Sequence, residues 1–213
     1  MIILSLLLVR SKLCLAQPQS FSFSVRAQCW AARGSSLFAP ASRRLKEDST
    51  TDQVNISSGL SDPDSVIGVF SKVKALLVLP SVVIYNASAA TRNDAKNPLN
   101  RDLNINTIRA FVAAQQAVLG FEQLPESASK TFIYTGNILN TTTMAPLMGL
   151  GVGKSVTAHI IQSAATAYID RGFKFYYADE RKADGSAAYV DINGEAHGKL
   201  YVQLAEGKSQ GPW

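Results

Sequence analysis

The sequence predicts an α/β fold in which a doubly wound, mostly parallel sheet forms one domain. From about residue 36 onward, short apolar runs with strand character alternate with longer stretches of helical periodicity, which is typical of successive βαβ units. The chain has 213 residues, of which 46% are hydrophobic and only 17% charged, so it can bury one sizeable core. The run Val82-Val83-Ile84-Tyr85 stands between Pro80 and Asn86, as expected of a buried central strand that ends at a functional loop.

Capping residues and the spacing of apolar residues predict where the individual helices and strands lie. Ser61 to Asp64 forms a capping pattern with Pro63 in the first turn, so a helix is expected to open there and continue to Lys72. Between Asn100 and Gly120, apolar residues recur at helical spacing, which predicts a long amphipathic helix that ends at Gly120. The other expected elements are helices at 37–46, 100–120, 153–169 and 195–205 and strands at 53–57, 82–85, 131–134 and 173–177. The final Gly-Pro-Trp comes without a closing strand, so the domain is expected to be incomplete at both ends.

The basic charge of the chain is concentrated at its start. The first 46 residues contain seven Lys or Arg and no Asp or Glu, so residues 1–30 are set apart as an atypical basic segment and the domain is placed at 31–213. The segment is consistent with disorder, with a mitochondrial presequence, or with an altered start, and a cytoplasmic location is the default. Because the basic residues are not interleaved with aromatic ones, nucleic acid is not an expected partner.

Neither a membrane span nor a metal site is expected. Ile2 to Val9 is eight residues long, too short to cross a bilayer of roughly 30 Å as a helix. Cys14 and Cys29 are the only cysteines, and with two histidines the chain has too few ligands for a zinc cluster.

Three landmarks follow one another along the chain. Tyr85-Asn86-Ala87-Ser88-Ala89 follows a strand, Ile105-Asn106-Thr107 lies within the long helix, and Lys154 opens a helix rich in small residues. In this order the landmarks resemble the short-chain dehydrogenase/reductase family, over about residues 31 to 205. The resemblance implies a Rossmann-like NAD(P)-binding domain, NADP or NAD as cofactor, a small carbonyl or alcohol substrate and a homo-oligomer paired through helices 100–120 and 153–169.

The resemblance also assigns roles to individual residues. Asn106, with Asn104 as the alternative in register, would hold a water in a proton relay, and Lys154 would bind the nicotinamide ribose. The implied catalytic residues are Asn106, Lys154 and, at the position of the family's serine, Asn137, with Thr135 as its neighbour. The implied cofactor contacts are Asn86, Ala87, Lys154 and Arg33, the last facing an NADP 2′-phosphate.

Two departures from the family pattern bear on activity. The residue four before Lys154, where the family has its proton-donating tyrosine, is Leu150, which can do no proton chemistry. The expected glycine-rich phosphate turn is also missing, because no glycine precedes Gly34. A non-catalytic relative that acts in dimerisation or partner binding is therefore the alternative to an active oxidoreductase.

Three further features have competing interpretations. Gly149 to Ser155 resembles a Walker A phosphate loop, but the glycine that this pattern needs falls at Met148. The charged stretch Asp179 to Arg181 either contacts a substrate or forms a solvated ion-pair turn, which is favoured. His197 is either a substitute acid or, by preference, a surface histidine on a helix.

Overall fold

The computed structural model describes residues 62–76, 79–91 and 99–213. Its helices are α1 (Asp64–Leu76), α2, α3 (Met148–Ala167) and α4 (Gly194–Glu206), and its strands are β1 (Val82–Tyr85), β2 (Thr131–Thr135) and β3 (Lys174–Ala178). Helix α2 is continuous and consists of Asn100–Leu103, a π-helical segment at Asn104–Ile108, and Arg109–Phe121. Short 3-10 helices occur at Ile138–Asn140, Ala145–Leu147, Ile169–Arg171 and Tyr189–Asp191. Arg33 and the elements expected at 37–46 and 53–57 lie outside the described residues.

The three strands are parallel and lie side by side in the order β1-β2-β3. One face of the sheet carries Phe132 and Tyr134 and packs in a core with residues of α1, α2 and α3. The opposite face carries Ile133 and packs against Tyr201 of α4. Helices therefore cover both faces of a parallel sheet, and the predicted doubly wound α/β fold is confirmed.

The strands predicted at 82–85, 131–134 and 173–177 lie within one residue of the observed ones, whereas α1 and α3 depart further from their predicted bounds. Helix α1 begins at the predicted cap, where Asp62 Oδ1 accepts the N–H of Asp64 at 3.0 Å, but it continues to Leu76 instead of ending at Lys72. Helix α3 begins at Met148, five residues before the predicted Gly153, because tertiary packing overrides the poor helix propensity of its glycines.

Two of those glycines allow α3 to approach α2 closely. A Cβ on Gly149 would lie 2.8 Å from Oδ2 of Asp102, and one on Gly153 would lie 2.7 Å from Cβ of Asn106. Larger side chains at these positions would push the two helices apart. The small-residue character of α3 thus sets the distance between α2 and α3.

A buried lysine and a glutamine fix the far end of α4 to β3. The ammonium of Lys174 donates to the carbonyls of Leu204, Ala205 and Gly207, with Nζ–O distances of 3.0 and 2.8 Å to the first two. Gln210 accepts the N–H of Phe175 and donates to its carbonyl, at 2.7 and 3.1 Å. None of the helices in the described part of the chain is long and apolar enough to cross a membrane.

Candidate active site at the carboxyl edge of the sheet

A widened turn of α2 forms one side of the candidate site. The π-helical geometry leaves backbone carbonyls without their usual partners within the helix, and such turns are frequent at functional sites. The hydroxyl of Tyr85 donates to the carbonyl of Ile105 at 2.5 Å. The hydroxyls of Tyr134 and Thr157 donate to the carbonyl of Asn106 at 3.0 and 2.7 Å. Three hydroxyl groups therefore fix this turn against the sheet and α3.

The side chain of Asn106 holds the loop that follows β1. It is fully buried, its Nδ2 donates to the carbonyl of Ala89 at 2.7 Å, and its Oδ1 accepts the N–H of Ala89 and the hydroxyl of Ser88, each at 3.1 Å. The amide thus pairs with the loop backbone in the manner of a neighbouring strand. Asn106, rather than Asn104, makes these contacts, and its role in a proton relay stays a prediction.

Lys154 lies at the carboxyl end of β2. Its Nζ donates to the carbonyl of Thr135 at 3.0 Å and stands 4.4 Å from the centre of the Tyr134 ring, a cation–π contact. The side chain is 2% exposed. Burial lowers the pKa of Lys154 to about 7, although the negative charge of Asp179 acts in the opposite direction.

Asn137 stands just beyond the end of β2, where the resemblance places the family's serine. Its N–H donates to the hydroxyl of Tyr177 at 3.1 Å, its carbonyl accepts from the same hydroxyl at 2.9 Å, and its Oδ1 accepts the N–H of Leu139 at 3.0 Å. Gly136 leaves room for the tyrosine, since a Cβ there would lie 2.0 Å from the Tyr177 ring. The backbone of Asn137 is thus rigidly held, and its action on a carbonyl remains a prediction.

The resemblance places the family's tyrosine at Leu150, which is a buried hydrocarbon side chain. Leu150 is 6% exposed and lies in the first turn of α3, one helical turn before Lys154. A leucine offers no donor or acceptor at that point. Leu150 itself therefore cannot donate or accept a proton.

The structure joins some of the predicted site residues and separates others. Asn106 and Lys154 share Tyr134, whose hydroxyl binds the first and whose ring faces the second. Asn137 follows the same strand. Asn86 is exposed at the end of β1, whereas the side chain of Ala87 packs in the core.

Sequence reasoning missed the tyrosines that support the site. Tyr85, Tyr134 and Tyr177 are paired across the three strands, and their ring centres are 5.7 and 5.5 Å apart along the row. The strands predicted at 82–85, 131–134 and 173–177 each end in a tyrosine, so the parallel register could have indicated this row. No comparable pattern in the sequence indicates that Thr157 contacts the site.

The structure contradicts the phosphate-loop alternative. Gly149 to Ser155 lies within α3, and two of its glycines serve contact with α2. A Walker A motif wraps the phosphate in a loop that precedes a helix, whereas these residues are themselves helical.

His197 lies on helix α4, as predicted, but is half-buried there. Its side chain is only 17% exposed, and its Nε2 lies 2.9 Å from Oε2 of Glu180. Asp179 and Arg181 pair with each other, as the ion-pair interpretation of this turn predicted.

A parallel sheet covered by helices, with polar side chains gathered at its carboxyl edge, defines a dinucleotide-binding type of α/β protein. No protein-family model matches the chain. A curated relative, the short chain dehydrogenase/reductase dmxR12 of Cryptosporiopsis sp. (strain 8999), is 45% identical over 176 residues, covering 74% of this chain and 72% of the relative. The chain belongs to the short-chain dehydrogenase/reductase family.

Solved structures agree on the fold. A short-chain type dehydrogenase/reductase from Mycobacterium marinum matches with a TM-score of 0.60 at 17% identity, covering 71% of this chain and 66% of that one. A blue fluorescent protein from a metagenomic library, solved in complex with NADPH, matches with a TM-score of 0.55 at 18% identity, covering 70% of this chain and 66% of that one. The chain spans 66% of the length of these two structures.

Proposed function

We propose that the protein is an NAD(P)-dependent oxidoreductase that acts on a small carbonyl or alcohol at the carboxyl edge of its sheet. One observation carries the proposal. Lys154 is a buried ammonium with three N–H groups, and within the described residues only the carbonyl of Thr135 accepts a hydrogen bond from it. A buried donor with spare capacity is costly unless a ligand uses it. The hydroxyls of a nicotinamide ribose are acceptors of the required kind.

The residues around Lys154 fit a dinucleotide. Asn106 fixes the loop after β1, where the small residues Ala87 and Ala89 allow the backbone to approach a ligand closely. Asn86 is exposed at the end of that strand and would face the adenosine. When bound, the dinucleotide supplies or accepts a hydride, and Asn137 or Thr135 would orient the substrate oxygen. Arg33 is proposed to meet the 2′-phosphate of NADP.

Fluorescence titration of the full chain with NADPH and with NADH tests this proposal. The wild type is expected to bind at least one of them below about 1 mM. Lys154→Met removes the ammonium and keeps an unbranched apolar stem, so it should weaken binding about tenfold. Lys199→Met is the matched control, because Lys199 is exposed on α4 and pairs with Glu195 away from the site. If neither dinucleotide binds at concentrations up to about 1 mM, the oxidoreductase proposal fails. The result would then favour a non-catalytic role in dimerisation or partner binding.

A homo-oligomer formed through α2 and α3 is part of the proposal. Both helices expose large apolar side chains at helical spacing: Ile108, Phe111, Leu119, Met148, Val152 and Val156. Such a face favours pairing with its copy in a second chain. Sedimentation equilibrium of the wild type should give the mass of a dimer or a larger oligomer. Phe111→Glu should shift the equilibrium toward monomer. A monomeric wild type would contradict the proposed homo-oligomer. A cytoplasmic location, with a mitochondrial one as alternative, remains a prediction.

A further inference from the structure

A chain of polar side chains runs from the end of β2 to the loop after β3. The hydroxyl of Thr135 lies 2.7 Å from the hydroxyl of Tyr201, which lies 3.3 Å from Nδ1 of His197. Nε2 of His197 lies 2.9 Å from Oε2 of Glu180, a close charge contact in which the N–H is not aligned for a hydrogen bond. Four side chains from β2, the turn after β3 and α4 thus form one path.

The backbone holds both ends of this path. Thr135 is the last residue of β2, and its carbonyl accepts the hydrogen bond from Lys154. Glu180 accepts the N–H of Asn193 at 2.9 Å. The side chain of Asn193 also caps the start of α4, so the carboxylate and the helix that carries His197 are fixed together. The path therefore lies along the carboxyl edge, beside the proposed cofactor site.

The side chains have matching donor and acceptor roles. Burial raises the pKa of Tyr201 to about 12, so its hydroxyl keeps its proton at neutral pH. A carboxylate beside Nε2 favours the tautomer with the proton on that nitrogen, which leaves Nδ1 to accept from Tyr201. Hydroxyl, imidazole and carboxylate follow one another in the order used by hydrolytic triads.

We propose that Thr135, Tyr201 and His197, oriented by Glu180, form a proton relay that takes the place of the tyrosine replaced by Leu150. The proposal rests on the proposed oxidoreductase function. When a substrate carbonyl carbon gains a hydride, its oxygen takes a proton from the hydroxyl of Thr135. Thr135 regains one from Tyr201, Tyr201 regains one from Nδ1–H of protonated His197, and solvent returns a proton to His197. The oxidation of an alcohol runs through the same atoms in reverse.

Histidine NMR tests the relay without substrate or cofactor. The chain contains two histidines, His159 and His197, so labelled histidine gives two sets of signals and His159→Gln identifies them. In neutral His197 the proton is expected on Nε2, and Tyr201→Phe should shift the Nδ1 resonance by removing its donor. Glu180→Gln should increase the share of the other tautomer, as expected of a positioning residue. A proton mainly on Nδ1, or an Nδ1 resonance unchanged in Tyr201→Phe, would overturn the relay.

Turnover gives the second test. Oxidation of NADPH is followed with a panel of aldehydes, ketones and 9,10-phenanthrenequinone. His197→Gln should lower kcat about 100-fold, with the Kd for NADPH changed less than about twofold. His159→Gln should leave both unchanged, because His159 is exposed on α3. If His197→Gln binds NADPH and keeps the kcat of the wild type, the relay is overturned and the oxidoreductase function is not. A wild type that binds neither dinucleotide, or that binds one and reduces no carbonyl of the panel, overturns the oxidoreductase function and the relay with it.

Discussion

The two ends of the sheet each bury a lysine, and they treat it differently. At the amino end, Lys174 donates to three carbonyls at the end of α4, which uses all three of its N–H groups. At the carboxyl end, Lys154 has the carbonyl of Thr135 and the face of an aromatic ring. Burial lowers the pKa of both lysines. An ammonium whose three N–H groups all have acceptors stabilises the fold, whereas one with N–H groups to spare is available to a ligand.

Removal of Lys174 should cause the largest loss of stability. Lys174→Met leaves three carbonyls at the end of α4 without their donor, so the free energy of unfolding should fall by about 3 kcal/mol. Urea denaturation measures the change. Lys154→Met should change the same quantity by less than about 1 kcal/mol near pH 7, since an apolar side chain suits its buried position. Equal losses in the two variants would contradict the contrast between the ends of the sheet.

The pH dependence of stability should sharpen the contrast. Folding lowers the pKa of Lys154 from 10.5 to about 7, so between these values the unfolded chain binds more protons than the folded one. Stability attributable to Lys154 therefore rises with pH in this window and is lost as pH falls toward 7. The wild type should gain about 2 kcal/mol relative to Lys154→Met between pH 7 and pH 9. Urea curves of both proteins at each pH measure the difference, and a constant difference would mean that Lys154 titrates normally.

Loss of one hydroxyl at the carboxyl end should destabilise the fold much less than loss of Lys174. Tyr177→Phe removes the partner of the N–H and carbonyl of Asn137, which should lower the free energy of unfolding by about 1 kcal/mol. Tyr189→Phe is the control, because Tyr189 is exposed and its hydroxyl lies 4.0 Å from the nearest partner, the sulfur of Met144. Thermal unfolding of both variants provides the measurement. If Tyr177→Phe and Tyr189→Phe lose the same amount of stability, the hydroxyl of Tyr177 does not hold Asn137.

The sequence allowed more of the fold than of the site to be predicted. The three strands within the described residues were predicted within a residue because β-branched and aromatic runs identify buried strands locally. The start of α3 was missed since its glycines are poor helix formers and are accommodated by packing on α2.

In the site, the positions of Asn106 and Lys154 were predicted by resemblance, but their contacts depend on the π-helical turn and on strand register. Thr135, Glu180, His197 and Tyr201 are up to 66 residues apart, so only the folded sheet could reveal their path.

The contact between Gln210 and Phe175 also has a consequence outside the site. Strand β3 is an outer strand among those described, and exposed backbone groups on such a strand can recruit a strand from another molecule. The amide of Gln210 occupies one N–H and one carbonyl on that side, as a pairing strand would. A single side chain thereby protects the rim of the sheet against aggregation.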